Sequence, residues 1–480
     1  MEQQNQFDLI IIGSGPGGYK AAVIACQLGA KVALIEKAQA GGTCLNRGCV
    51  PKEALVRIAK LIDDIKAFEG LGLKSEVYPD FQAAMAHKSQ LVSSIRETVP
   101  PWLRRLGIKF FEGEGNFVNP KTINIVGNDG TKHIIQSDRI IIATGSKSKN
   151  HPTLPLENSR IINSTQFMEN PTTLPKKVLC VGGGAISTEI GFVLHQFGSE
   201  VTILEKSNRL LNKFNIPERA SEMLMRRFKQ LNINVKTNTN IKSYSSTDDN
   251  IAITFNDDTR DEYDTVLVAI GRKPNTDKLQ LENANVQTDE MGSIKTNEYL
   301  ETSTPGIYAI GDVKVGPMTA NAAFHDAKIA ANNALNGNTS ATNYNRVPIV
   351  IDSALQIACV GLTEERAEEA GFEPDVARIN LAGTTKARLT QDVQGYIEVV
   401  HDEETAQLLG GSIVGPQARE MIHTMTAACQ SKRGLWFFTD LNYSHPSWNE
   451  ELENAIYQYV NEFNKSGDPI FRPGIYALYP

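Results

Sequence analysis

Residues 7–37 read FDLIIIGSGPGGYKAAVIACQLGAKVALIEK. The apolar run Leu9 to Ile12 enters Gly13-x-Gly15-x-x-Gly18, a small-residue stretch follows, and a second apolar run ends at Glu36. Strand, tight turn, helix and strand in that order form the βαβ unit of a dinucleotide site. Gly13 makes the turn and Gly15 lets the backbone approach a pyrophosphate. The helix N-terminus offers free N–H groups and the positive end of its dipole. Glu36, at the tip of the second strand, accepts hydrogen bonds from ribose hydroxyls. One such fingerprint is a weak signal. A second lies 169 residues further on, in KKVLCVGGGAISTEIGFVLHQFGSEVTILEK (176–206), with Gly182-x-Gly184-x-x-Ser187 and Glu205. The interval from first glycine to acid is 23 residues in both copies. The pair predicts an α/β chain with two dinucleotide sites. Glu205 would repel a 2′-phosphate and so favours NAD over NADP, a preference that Lys206 and Arg209 nearby weaken. Ser187 stands where the third glycine belongs, small enough for helix–sheet packing.

The remaining composition fits that class. A chain of 480 residues exceeds one core and suggests two to four domains. With 41% hydrophobic and 21% charged residues it has ordinary globular composition. A net charge of −7 and a pI near 5.7, with no basic stripe, exclude nucleic acid as the expected partner. No apolar run approaches the length that spans a bilayer, and the start MEQQNQFDLIIIG has no secretory pattern. Six cysteines in so long a chain are not a disulfide framework, so the expected location is a reducing cytoplasm, or an organellar matrix if a transit peptide has been removed.

Further apolar strands end in glycine: RIIIATGS (139–146), TVLVAIGRKPN (265–275) and TSTPGIYAIGD (302–312). Each brings backbone near a cofactor, and Asp312 is placed to bind a ribose or ribityl hydroxyl. Two of the six cysteines stand five positions apart in GGTCLNRGCVPKE (41–53). By themselves Cys44 and Cys49 fit a small redox disulfide, half of a metal site or two unrelated buried thiols. No further cysteine or histidine stands nearby at ligand spacing, and no metal is expected. Pro51 suits the start of a helix whose positive end would stabilise a thiolate.

Taken together, these motifs resemble the flavoprotein disulfide reductases, and most closely the dihydrolipoamide dehydrogenases. The resemblance spans nearly the whole chain and rests on the two fingerprints, GGTCLNRGCVPK, ATG (143–145), AIGRKPN, TSTPGIYAIGD, VGLTEE (360–365), GGSIVGPQAREMI (410–422) and HPSWNE (445–450). It implies two Rossmann-like domains, for FAD (1–150) and NAD (151–274). A central domain (275–346) returns to FAD, and a C-terminal α+β dimerisation domain (347–480) completes the chain. It also implies that Cys44 and Cys49 form a redox disulfide, Cys44 as the interchange thiol and Cys49 on the flavin side. His445 and Glu450 become the base that exchanges protons with a dithiol, acting on the disulfide of the other subunit of a homodimer, with a cis peptide before Pro446. Glu189 faces nicotinamide and flavin, where its lysine partner would be Lys52. The expected FAD contacts are Gly13, Gly15, Pro16, Gly17, Gly18, Glu36, Lys37, Gly42, Thr43, Gly115, Ala143, Thr144, Gly145, Ser146, Gly311, Asp312, Met318, Thr319 and Ala320. For NAD they are Gly182, Gly183, Gly184, Ala185, Ile186, Ser187, Glu205 and Ile241, and Gly271 and Arg272 complete the cofactor set. The implied reaction oxidises a dihydrolipoyl group on a carrier protein and passes hydride to NAD+. The rival readings are an NAD(P)H-dependent reductase of another disulfide and a non-catalytic NADH-binding scaffold subunit.

The chain departs from that pattern in places. Pro51-Lys52-Glu53 replaces Pro-Ser/Thr-Lys, moving the lysine one place and adding an acid whose charge disfavours an anionic reduced flavin. The helix NAAFHDAKIAANNAL lacks the usual double glutamate, and its His325 and Asp326 read as polar residues of a helix surface. Cys26, Cys180, Cys359 and Cys429 read as buried packing. The tail NKSGDPIFRPGIYALYP is Pro/Gly-rich and reads as an extended segment.

Overall fold

Why Leu9–Ile12 forms a strand is plain from its burial: all four residues are shielded on both faces, as a central parallel strand requires. In the computed structural model, which describes residues 5–170, 173–212, 215–431 and 433–457, this strand lies inside a seven-stranded sheet. The order is Ile307–Ala309, Ile140–Ile142, Leu9–Ile12, Val32–Glu36, Lys109–Asn119, Thr122–Gly127 and Lys132–Gln136. The first five run parallel and the last two close an antiparallel meander. A strand drawn from residues 307–309 thus completes a sheet begun at residue 9.

The helix Pro16–Gln27 takes proline in its first turn, where the missing N–H has no helical partner to lose. Its alanines Ala21, Ala22 and Ala25 share one core with Ala327, Ala330, Ala331 and Ala334 of the helix Ala320–Asn336. Small side chains on both faces let the two backbones approach closely. The N-terminus of the second helix is thereby carried to the end of the sheet where the glycine turn lies.

The second fingerprint repeats the plan. Strands Lys177–Val181 and Glu200–Leu204 flank the helix Ala185–Gln196 in a parallel sheet ordered Asn234–Lys236, Glu200–Leu204, Lys177–Val181, Thr265–Val268, Ile161–Asn163. Residues 241–263 add a three-stranded antiparallel sheet. Both sheets belong to one compact unit, made of the residues up to Asp64 with Ser75–Asn208 and Ile233–Tyr344.

The other unit gathers Ile65–Lys74, Arg209–Asn232 and the residues from Asn345. Its centre is a five-stranded antiparallel sheet ordered Ile349–Asp352, Gln356–Gly361, Leu408–Val414, Tyr396–Asp402, Pro374–Asn380. The helix Ala418–Gln430 buries Met421, Ile422, Met425 and Ala428 in a core shared with Ile397, Val399 and Ile413. A further helix starts at 450 and adds Leu452, Ala455 and Ile456 to that core. Among the described residues no helix is long and apolar enough to cross a membrane. The tail from 464 lies outside the described residues.

Candidate functional site

Gly13 has φ +102, and a Cβ there would lie 2.4 Å from the Ala143 carbonyl oxygen, so only glycine fits the turn. A Cβ at Gly15 would meet nothing within 4 Å, because that face opens into a cavity. Glu36 folds back under the turn. Its carboxylate accepts from the N–H and hydroxyl of Ser14, both at 2.9 Å, and from the N–H of Ala38 at 2.8 Å. A carboxylate has about four acceptor positions, so capacity for a ribose hydroxyl remains.

The cavity encloses about 590 Å³, within the range of small-molecule sites. Of the expected FAD contacts, all but Gly18 line it, and so do Cys44, Cys49 and Arg272. Gly18 packs behind the turn, where a Cβ would overlap the Gly13 carbonyl oxygen. At the far wall the Asp312 carboxylate accepts from the Ser146 hydroxyl at 2.6 Å, and Arg272 Nε lies 3.6 Å from the same carboxylate. An open glycine backbone at one end and a carboxylate–hydroxyl–guanidinium group further along suit an elongated diphosphate dinucleotide such as FAD.

The two cysteines meet at this wall. Cys44 lies on the short helix Gly42–Arg47; Gly48 breaks that helix, and Cys49 is the first residue of the helix Cys49–Ala67. Cys49 therefore stands at a helix N-terminus and lines the cavity. A hydrogen bond from Cys44 lowers its pKa, and Lys52 lowers it further, against burial and the charge of Glu189. Cys44 moves the other way: its bond to Cys49 and its burial push the thiol up. The pair is thus polarised, with the thiolate favoured on Cys49 and the proton on Cys44.

Lys52 Nζ lies 3.0 Å from Glu189 Oε1, and both side chains are largely buried. Shifted by one position, this lysine reaches the glutamate on the helix Ala185–Gln196. It also lies 3.6 Å from Glu53, whose carboxylate is the more exposed of the two. One cation is shared between two anions beside the cysteine pair.

The second glycine turn matches the first in detail. Gly182 has φ +103 with a virtual Cβ 2.6 Å from the Ala269 carbonyl oxygen, and Gly184 faces open space. Glu205 accepts from Gly183 N–H at 2.6 Å and from Ser207 N–H at 2.8 Å, the counterpart of the Glu36 arrangement. Ser187 is fully buried, and its hydroxyl has no hydrogen-bond partner among the described residues. Ile241 opens the strand Ile241–Ser246, and Gly271, at φ +126, precedes the strand Arg272–Pro274 that pairs with Ser146–Ser148.

In the other unit the His445–Pro446 peptide is cis. His445 Nδ1 lies 3.0 Å from Glu450 Oε2, and Glu450 Oε1 accepts from Ser447 N–H at 3.1 Å. The carboxylate is tied down on both oxygens while the imidazole is 75% exposed. A ring oriented through Nδ1 presents Nε2 outward for proton exchange.

Several residues of the site were not singled out from the sequence. Arg47, between the cysteines, pairs with Glu169 at 2.7 Å. Asn275 ties the strand ends together, donating to the Thr144 carbonyl at 2.9 Å and accepting from the Thr144 hydroxyl at 2.8 Å. It stands inside AIGRKPN, which was the available signal. Asp326 differs most from expectation: it is 1% exposed rather than on a helix surface, and pairs with Lys314, itself 2% exposed. Its neighbours one turn away on the helix are Ala322, Ala323, Ile329 and Ala330, all buried, a face that the sequence reading did not use. Of the four other cysteines, Cys180 and Cys359 are buried, whereas Cys26 and Cys429 are half-buried. Among the described residues no cluster of His, Cys, Asp and Glu could hold a metal ion.

Residues 7–327 match the family model described as pyridine nucleotide-disulphide oxidoreductase, and residues 347–456 match the dimerisation domain of the same family. A dihydrolipoyl dehydrogenase of Chlamydia pneumoniae is 35% identical over 93% of this chain and 95% of its own. Among solved structures, LpdA of Mycobacterium tuberculosis superposes with a TM-score of 0.87 at 22% identity, over 94% of this chain and 99% of that one. The Cu(II) complex of the HOCl-induced flavoprotein disulfide reductase RclA of Escherichia coli gives 0.83 at 25% identity, over 95% and 99%.

Proposed function

This chain belongs to the pyridine nucleotide-disulphide oxidoreductases, and on that footing we propose that it is a dihydrolipoyl dehydrogenase working as a homodimer. Members of the family are FAD-dependent and use a pyridine nucleotide. The finer reading is supported above all by the Cys44–Cys49 pair at the cavity wall, its two thiols shifted in opposite directions by their mutual hydrogen bond, with Lys52 favouring the Cys49 thiolate. The 35% identity with a dihydrolipoyl dehydrogenase over nearly the full chain favours the lipoyl substrate.

In the oxidised enzyme the two sulfurs form a disulfide. His445 of the partner subunit takes a proton from one substrate thiol, and the resulting thiolate attacks Cys44. The Cys44–Cys49 bond breaks, the electron pair stays on Cys49, and Lys52 with the helix N-terminus holds that thiolate. The second substrate sulfur displaces Cys44 and closes the lipoyl disulfide, its proton passing to the leaving Cys44 sulfur while the partner's His445 keeps the first. Two electrons have then moved from the dithiol to the cysteine pair. FAD, when bound, relays them to the nicotinamide. Glu205 selects NAD+ by excluding a 2′-phosphate, and a lipoyl carrier protein is the partner. The domain limits 1–150, 151–274, 275–346 and 347–480 belong to the same reading.

The test is anaerobic reduction of NAD+ by dihydrolipoamide with the purified chain, with NADP+ and Cys49→Ser in parallel. NAD-specific turnover that vanishes in Cys49→Ser is expected. A flavoprotein that oxidises NADH but ignores dihydrolipoamide sinks the lipoyl reading; other disulfides and Cu(II) are then the acceptors to try.

A further inference from the structure

We infer that Asp326 is a positioning residue for the flavin site, acting through the backbone of Gly311 with Lys314 and Tyr344 as its supports. The inference rests on the reading of the cavity as the FAD site. Asp326 Oδ2 accepts from the Gly311 N–H at 2.9 Å and lies 3.6 Å from Lys314 Nζ. Its other oxygen accepts from the Tyr344 hydroxyl at 2.7 Å. Lys314 in turn donates to the Val315 carbonyl at 3.1 Å and to the Tyr344 oxygen.

The arrangement joins three things that line or support the cavity. Gly311 sits at φ +67, with a virtual Cβ 3.1 Å from Ala323, so the turn is pressed against the helix that carries Asp326. The next residue, Asp312, presents its carboxylate to the cavity and accepts from Ser146. The same helix, Ala320–Asn336, brings Thr319 and Ala320 to the cavity at its N-terminus. Asp326 therefore sets the spacing between the turn and the helix end, both of which line the cavity. A wholly buried ion pair adds little net stability, since the loss of water offsets the attraction. Its value is geometric: neither partner can shift without leaving a buried charge uncompensated.

The positioning role predicts effects on the flavin beyond the loss of stability that an uncompensated Lys314 brings. In full-length protein stripped of flavin, Asp326→Ala is expected to weaken FAD binding about ten- to hundred-fold. The flavin absorption band and midpoint potential of the reconstituted protein move with it. Asp326→Asn, which keeps an acceptor for Gly311 N–H, restores part of the affinity. Unchanged affinity, band and potential in Asp326→Ala overturn the inference. So does a loss that merely parallels the melting temperature of the flavin-free protein, with Asn no better than Ala. If Asp326→Ala does not fold, Tyr344→Phe removes one bond to the carboxylate and should weaken FAD about three- to tenfold; no change there overturns it equally. Parent protein that binds no FAD refutes the cavity reading itself, a separate outcome from a parent that binds while the variants match it.

Discussion

Replacing Lys52 with methionine keeps most of the stem of the side chain and deletes one charge beside the cysteine pair. The consequence for Cys49 follows from signs. Lys52 favours the thiolate and Glu189 opposes it, and the two are 3.0 Å apart, so the glutamate offsets only part of what the lysine does. With an effective dielectric near 20 their attraction is about 5 kcal/mol before desolvation. In Lys52→Met the cation is gone, while the Glu189 carboxyl, 11% exposed, stays beside the cysteine pair. The Cys49 pKa should then rise by about one unit, the low end for a neighbouring charge, equivalent to about 1.4 kcal/mol. Glu189→Gln should lower it, and the double variant should return near the parent value, since residues in contact couple. The assay is alkylation of the reduced chain across a pH series, with peptide mapping to separate Cys49 from Cys44. In Lys52→Met the Cys49 profile shifts to higher pH, and the rate below the pKa falls about tenfold. A profile unmoved or shifted to lower pH in Lys52→Met would refute the reasoning, because no arrangement of these charges gives that sign.

Other consequences can be measured separately. Glu53→Gln releases Lys52 from a partly exposed competitor at 3.6 Å, and the Cys49 alkylation profile should move to lower pH by well under one unit. Ser187→Ala removes a buried hydroxyl that has no partner among the described residues, and denaturant unfolding should find the variant up to about 1 kcal/mol more stable. His445→Gln should cut dihydrolipoamide oxidation by about 10²–10⁴-fold while flavin content stays that of the parent. Mixed dimers of His445→Gln and Cys49→Ser chains should regain activity that neither parent has; mixtures that stay inactive would place the base and the disulfide in the same subunit. Glu205→Gln should narrow the preference for NAD+ over NADP+, read as the ratio of kcat/KM values.

The two glycine fingerprints determined the fold class before any coordinates, because each element of the motif has a local cause. Gly13 and Gly182 need positive φ, Gly15 and Gly184 need an open face, and Glu36 and Glu205 close the turn from a fixed distance along the chain. The spacing of the cysteine pair left three readings open, and its redox role came from the resemblance; the structure adds that Gly48 ends one helix and Cys49 begins the next. What lies beyond that range depended on tertiary structure. Lys52 and Glu189 are 137 positions apart; the resemblance suggested the pairing, and the packing of two helices brings the two side chains together despite the one-place shift of the lysine. Asp326 looked like a surface residue because its burial comes from a turn fifteen positions earlier and a tyrosine eighteen positions later. A local motif encodes backbone geometry, which neighbours in the chain decide. The pairing of buried charges is decided by which elements the folded core brings into contact.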